Sequence, residues 1–226
     1  FDGKTLKGWK PSASGFFTIE DGAITGKASR EQTKSPVFIV WEGGTVKDFR
    51  LRFRCRVVGE AKISFRSQLN KKDLIGRHQI KLGHSVRVQR GEEPFDGLAS
   101  MGEIGLLKEN GEKFVSLFDG KDRIFQSVPL RDRNDYELRA IGQHSIIELN
   151  GQKVLELVDL RKEPATQSGI IAFLVIPSRN AEIQLKDIEL EVSSQSESSE
   201  SLLAKQSIVT IDELFSDLES GSSEKA

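Results

Sequence analysis

Residues 48–58 read DFRLRFRCRVV. Phe49, Leu51, Phe53, Cys55 and Val57 alternate there with Arg50, Arg52, Arg54 and Arg56. A period of two puts one set on each face of a β-strand, whereas a helix would scatter the arginines around its circumference. The stretch therefore predicts a strand with one buried apolar face and a comb of guanidinium groups on the other. Like charges in a row need partners. Residues 183–192, IQLKDIELEV, offer them, because Asp187, Glu189 and Glu191 alternate with Ile188, Leu190 and Val192. We expect these two strands to pair antiparallel in one sheet, with arginine facing carboxylate across the ladder. Each exposed pair is worth only about 0.2–1 kcal/mol. The larger effect is on register, since a slip of one residue turns the apolar set to water. The competing use of the comb is to bind an anionic ligand.

Short strands and turn signals fill the rest of residues 1–192. Phe16–Ile24 reads as a hairpin about Asp21-Gly22, and Ser145–Val158 as a hairpin about Asn150-Gly151, the dipeptides that two-residue hairpin loops favour. Pro36–Trp41 and Ala61–Gln68 read as strands, the second with Ile63 and Phe65 inward and Ser64 and Arg66 outward. Gly169–Ile176, GIIAFLVI, is apolar throughout and reads as a central strand covered on both sides. About a dozen such strands with almost no helical periodicity predict an all-β sandwich or jelly roll.

After Val192 the composition changes. Residues 193–201, SSQSESSES, read as a disordered polar linker. Ile208, Ile211, Leu214, Phe215 and Leu218 then fall at helical spacing, and Thr210 with Glu213 fits a capping box. The expectation is a β-sandwich over 1–192 and a linker with a short amphipathic helix over 193–226. The helix, over 208–219, either docks on its own sandwich or recognises a protein partner.

The net charge of −1 is unevenly divided: −5 in residues 193–226 and +4 before them. A mildly positive body with an acidic tail, two tryptophans and one tyrosine gives no footprint for nucleic acid. No stretch approaches the roughly 20 apolar residues of a membrane span. The single cysteine, Cys55, sits in an apolar strand set and reads as core. The chain begins at Phe1 without a methionine, so it reads as a processed or excised piece whose signal peptide would not be visible.

Several segments taken together resemble a known family. FDGKTLKGW at the start, FTIEDGAITG at 17–26, DFRLRFRCRV at 48–57, ISFRS at 63–67, LNGQKV at 149–154 and the closing run from Gly169 to Leu190 are similar, in order, to motifs of the bacterial 3-keto-disaccharide hydrolase domain, also called 3-keto-glucoside lyase or hydratase. The resemblance covers 1–192 and not the tail. It implies a concanavalin-like β-sandwich and chemistry on oxidised sugars, in a periplasmic or extracellular setting. A ketone at C3 acidifies the C2 proton, so a base can remove it while the C1 substituent leaves. Such a site needs a base, an acid for the departing oxygen and a stabiliser for the enolate, which a divalent metal could supply.

Two segments depart from the family pattern. GRHQI at 76–80 has Arg77 where the family has an acid, and FLVIPSR at 173–179 has apolar residues where the family has glutamine and histidine. The alternative is accordingly a non-catalytic module that binds glycan or protein. The candidate substrate-binding residues are Arg66, matched to the family arginine, and Arg77, Gln79 and Lys81, which share one strand face. The candidate catalytic residues are His78 and Glu103. His84 lies near His78, but the two are six residues apart across Gly83 and do not form a recognisable metal spacing. His144 beside a turn reads as surface. No metal ligands are nominated.

Overall fold

A computed structural model describes residues 1–70, 73–75, 78–82, 115–116, 133–158 and 167–193. Arg77, His84, Glu103, the linker beyond Ser193 and the proposed tail helix lie outside them. In chain order the strands are β1 Trp9–Pro11, β2 Phe17–Glu20, β3 Ala23–Ala28, β4 Val37–Trp41, β5 Phe49–Val58, β6 Glu60–Asn70, β7 Asp73–Ile75, β8 His78–Leu82, β9 Val115–Ser116, β10 Asn134–Ile141, β11 His144–Leu149, β12 Gln152–Val158, β13 Ile170–Ile176 and β14 Ala181–Val192. No helix occurs among the described residues, and none there could cross a membrane.

The strands form two antiparallel sheets. The smaller runs β1-β4-β13-β6-β7, with β8 also paired to β6; the larger runs β2-β3-β14-β5-β10-β11-β12-β9. The two aspartyl- and asparaginyl-glycine turns sit where expected. Asp21 and Gly22 have φ of 51° and 71°, Asn150 and Gly151 have 50° and 78°, the left-handed values such a loop requires.

Alternation fills the space between the sheets. Phe49, Leu51, Phe53 and Cys55 of β5 enter one core with Ile24, Ile63, Phe65, Phe173, Ile183 and Leu185. Cys55 is 1% exposed, and burial pushes its thiol pKa well above the ordinary range, so it behaves as a core residue. The apolar run of β13 is central, between β4 and β6, and buried on both faces.

β5 and β14 pair antiparallel, as the charge pattern predicts, but the register is broken once. Glu189 faces Arg52 and Glu191 faces Arg50, whereas beyond a bulge Lys186 faces Arg54 and Gln184 faces Arg56. Two residues, Asp187 and Ile188, stand opposite Phe53 alone. Asp187 takes φ of 50°, and its carboxylate still reaches Arg54 at 3.4 Å. β10 supplies the other half of the charge pairing, with Asp135 opposite Arg54 and Glu137 opposite Arg52.

A second bulge lies in β6, where Ser64 and Ser67 flank two residues opposite Ile171 of β13. Gly169 makes this possible. It exchanges backbone hydrogen bonds with Val46 (2.8 and 3.0 Å), and a Cβ on it would lie 2.4–2.6 Å from the Arg66–Ser67 backbone. Gly169→Ala should therefore lower stability by about 1–3 kcal/mol through forced backbone movement, readable as a reduced urea midpoint at unchanged slope.

Candidate functional site

The face of the smaller sheet turned away from the main core carries two of the residues nominated from the sequence, Gln79 and Lys81. Gln79 and Lys81 of β8 point away from the core, opposite His78, Ile80 and Leu82, which are buried. The register extends this face across three strands. Lys62 stands opposite Lys81 and Leu174, and Ser64 opposite Gln79 and Ala172. Farther on, Phe38 faces Leu174, and Val40 faces both Ala172 and Lys10. A polar edge of Lys62, Gln79 and Lys81 thus borders a buried apolar strip of Phe38, Val40, Ala172 and Leu174, which is a cluster separate from the main core. Ser64 is buried and shares a 2.7 Å hydrogen bond with the Ser67 hydroxyl.

Sequence reasoning missed Lys62 and Glu60. Glu60 lies two residues before Lys62 on the same strand face, and its carboxylate stands 3.6 Å from the Lys62 ammonium. The signal was present in EAKIS, where alternation puts Glu60, Lys62 and Ser64 on one side. Such an edge can donate to hydroxyls and carbonyl oxygens through lysine and glutamine, and accept through a carboxylate.

Two nominated residues lie elsewhere. Arg66 is fully buried, not outward, because it is the bulged residue of β6 and has φ of 47°. Its side chain crosses to the larger sheet. Nε and Nη2 donate to the Lys47 carbonyl (3.0 and 2.8 Å), Nη1 to the Gly142 carbonyl (2.7 Å), and Nη2 also to Asp48 at 3.3 Å. Asp48 in turn accepts the Gly142 N–H at 2.9 Å. Arg66 therefore ties the segment before β5 and the β10–β11 turn to the smaller sheet. His78 is in the core, its ring stacked on Phe65 with centroids 5.0 Å apart, on the opposite side of β8 from Gln79 and Lys81. The structure does not bring it together with them. His144 is half-buried, 3.9 Å from Glu156. Among the described residues no group of three or more histidine, cysteine, aspartate or glutamate side chains is placed to hold a metal ion.

The arginine comb on the larger sheet is occupied by carboxylates. Glu137 Oε2 accepts from Arg50 (2.7 Å) and Arg52 (3.2 Å), while Oε1 lies 3.2 Å from Arg139. Arg52 also meets Glu189 and Glu191 at 3.4 Å each, Arg54 meets Asp135 at 3.1 Å, and Arg56 meets Glu182. A trench of about 250 Å³ runs along this face, lined by both signs of charge. An anionic ligand would have to displace these carboxylates, so the comb is a pairing element. The other notable recess, about 210 Å³ between the sheets at Phe1, Trp9, Trp41 and Leu190, is lined by apolar side chains and suits sugar hydroxyls poorly.

Partial burial alone would raise the Glu137 carboxyl, but the hydrogen bonds and charges of Arg50, Arg139 and Arg52 outweigh it, and the net shift is downward. The stability this gives is present above the ordinary carboxylate value of 4.5 and is lost as pH falls through the lower folded value. Glu137→Gln should cost roughly 1.5–3 kcal/mol at neutral pH. That deficit should shrink in acid, where the wild-type carboxylate is also protonated; urea midpoints measured along a pH series check it.

Comparison with known proteins agrees with this architecture. Residues 1–191 match the family described as the 3-keto-alpha-glucoside-1,2-lyase-like domain. The chain belongs to that family. No curated protein matches it. Among solved structures, a protein of Parabacteroides distasonis provisionally classed as a glycosyl hydrolase is 15% identical, with a TM-score of 0.57, over 86% of this chain and 92% of that one. A Bacillus subtilis protein of unknown function with a galectin-like fold is 12% identical, with a TM-score of 0.56, over 84% and 93%. The Bacillus subtilis carbohydrate binding module CBM66 is 13% identical, with a TM-score of 0.51, over 81% and 95%. At these identities the likeness establishes the fold, and the family match makes the chain a carbohydrate-active β-sandwich domain.

Proposed function

We propose that the domain binds a 3-keto-glycoside along the polar edge of the smaller sheet formed by Lys62, Gln79 and Lys81. The observation that carries this is the register placing Lys81 opposite Lys62, with Gln79 two residues before Lys81 on the same face. Gln79 offers a donor and an acceptor to vicinal hydroxyls, and the two ammonium groups suit a keto oxygen that gains negative charge when the C2 proton is removed. Among the described residues Glu60 is a carboxylate on that face, 3.6 Å from the Lys62 ammonium. Family membership favours turnover, and we assign Lys81 to the enolate oxygen and Glu60 to proton transfer in that case. We further propose that the domain meets its glycan outside the cytoplasm.

The test is to incubate the full chain with a 3-keto-glucoside carrying a chromogenic aglycone, with and without divalent cation, while measuring binding by calorimetry. Gln79→Ala and Lys81→Ala should each weaken binding about tenfold, the equivalent of about 1.4 kcal/mol. Release of aglycone identifies an enzyme, and Glu60→Gln should then slow it. Binding without release identifies a recognition module. The absence of both binding and release would overturn the proposal.

A further inference from the structure

Asn150 and Gly151 form the two-residue loop joining β11 to β12, with Leu149 and Gln152 as the closing pair. Asparagine followed by glycine is the pair most open to self-cleavage of the side-chain amide. The Gly151 nitrogen attacks Asn150 Cγ, the Cγ–Nδ2 bond breaks and ammonia leaves. Water then opens the five-membered succinimide at either carbonyl, giving aspartate or isoaspartate. Glycine has no Cβ to obstruct the approach, and at Gly151 nothing lies within 4 Å of where one would be. Asn150 is exposed, so water reaches the site.

The native fold opposes this reaction at one place. The Asn150 carboxamide is not free to swing over its own peptide. Its Oδ1 accepts the Asp135 N–H at 2.9 Å, and its Nδ2 donates to Asn134 Oδ1 at 3.0 Å. The Asn150 N–H donates to the Asp135 carbonyl at 2.8 Å, so the backbone on the N-terminal side of the asparagine is held as well. All three bonds go to the start of β10, and Asn134 is itself buried.

We propose that Asn150 is a latent deamidation site, which the native hairpin holds closed through Asn134 and Asp135 and which local opening of the β10–β12 corner releases. The product cannot rebuild the corner as it was. The new carboxyl has no Nδ2 to donate to Asn134, and it adds a charge beside a trench whose arginines, Arg52 and Arg54, already pair with Glu189, Asp135 and Asp187. Isoaspartate also adds a methylene to the main chain inside a loop that has room for two residues.

The same dipeptide recurs at Asn110-Gly111, which gives an internal reference in the same chain. Native and urea-unfolded protein would be aged side by side at mildly alkaline pH, then digested and mapped by mass spectrometry, with isoaspartate scored enzymatically. In urea both asparagines should convert at similar rates. In the native protein Asn150 should convert at least about tenfold more slowly than in urea, the protection expected of a reaction gated by local opening. Asn134→Ala, still folded by circular dichroism, should raise the native rate severalfold; Asn134→Asp, which keeps an oxygen acceptor toward Nδ2, should not. A native Asn150 rate equal to that in urea would overturn the proposal. So would equal rates in wild type and Asn134→Ala.

Discussion

Arg66→Met should cost about 3–5 kcal/mol, the range for removing one partner from a buried ionic network. The methionine is apolar and close in length, so the change tests polar contacts rather than volume. It strands the Lys47 and Gly142 carbonyls, which lose donors at 2.8 and 2.7 Å, and leaves Asp48 without its cation. For a domain of this size the expected fall in Tm is about 10 °C. Asp48→Asn should cost less, because Asp48 is about a third exposed and the arginine keeps both carbonyls. A loss below about 1 kcal/mol for Arg66→Met would show that the arginine does not hold the sheets together at this end.

Phe173→Ala should also lower stability by about 3–5 kcal/mol, the cost of deleting a buried aromatic ring and leaving a cavity. Phe173 is fully buried at the centre of the sandwich. Its ring meets Phe53 edge-on at 5.0 Å and Trp9 at 6.0 Å, and Phe53 is stacked on Tyr136 at 5.1 Å. One substitution therefore removes a ring that links the two sheets through aromatic contacts, leaving the Phe49–Phe65 pair as another such link among the described residues. The near-ultraviolet circular dichroism should weaken along with the urea midpoint, since Trp9 and Tyr136 lie at the ends of this chain of rings. Phe173→Leu should recover most of the loss. If Phe173→Ala left the midpoint within about 1 kcal/mol of wild type, the core would be reorganising around the gap instead of keeping it.

Much of the sandwich was legible in the chain. The turn dipeptides, the arginine alternation and the apolar run of β13 each have a local cause, and each is where that cause predicts. The bulge in β14 was legible too. Ile183 and Leu185 point inward at odd positions, whereas Ile188 and Leu190 do so at even ones, and that switch of parity in the sequence marks an extra residue. Arg66 was not legible in this way. Period two assigns it outward after Phe65, and only pairing with β13 shows that the strand carries an extra residue there. His78 was placed on the correct strand but weighed for its chemistry, although its position two residues before Ile80 already put it on the buried side. The polar edge was half visible: Gln79 and Lys81 share a face in sequence, but Lys62 and Glu60 join them only through cross-strand register.

The sequence by itself determined the strands, their apolar faces, two of the hairpin turns and the pairing of basic with acidic strands, because propensity, alternation and turn geometry are local and charge complementarity survives a change of distance along the chain. Only the tertiary structure decided which way Arg66 points, where β6 carries its extra residue and which polar residues share the candidate edge. Those depend on how many residues on one strand oppose one on its neighbour, and that count is set by backbone contacts between segments distant in sequence, such as Gly169 against Arg66.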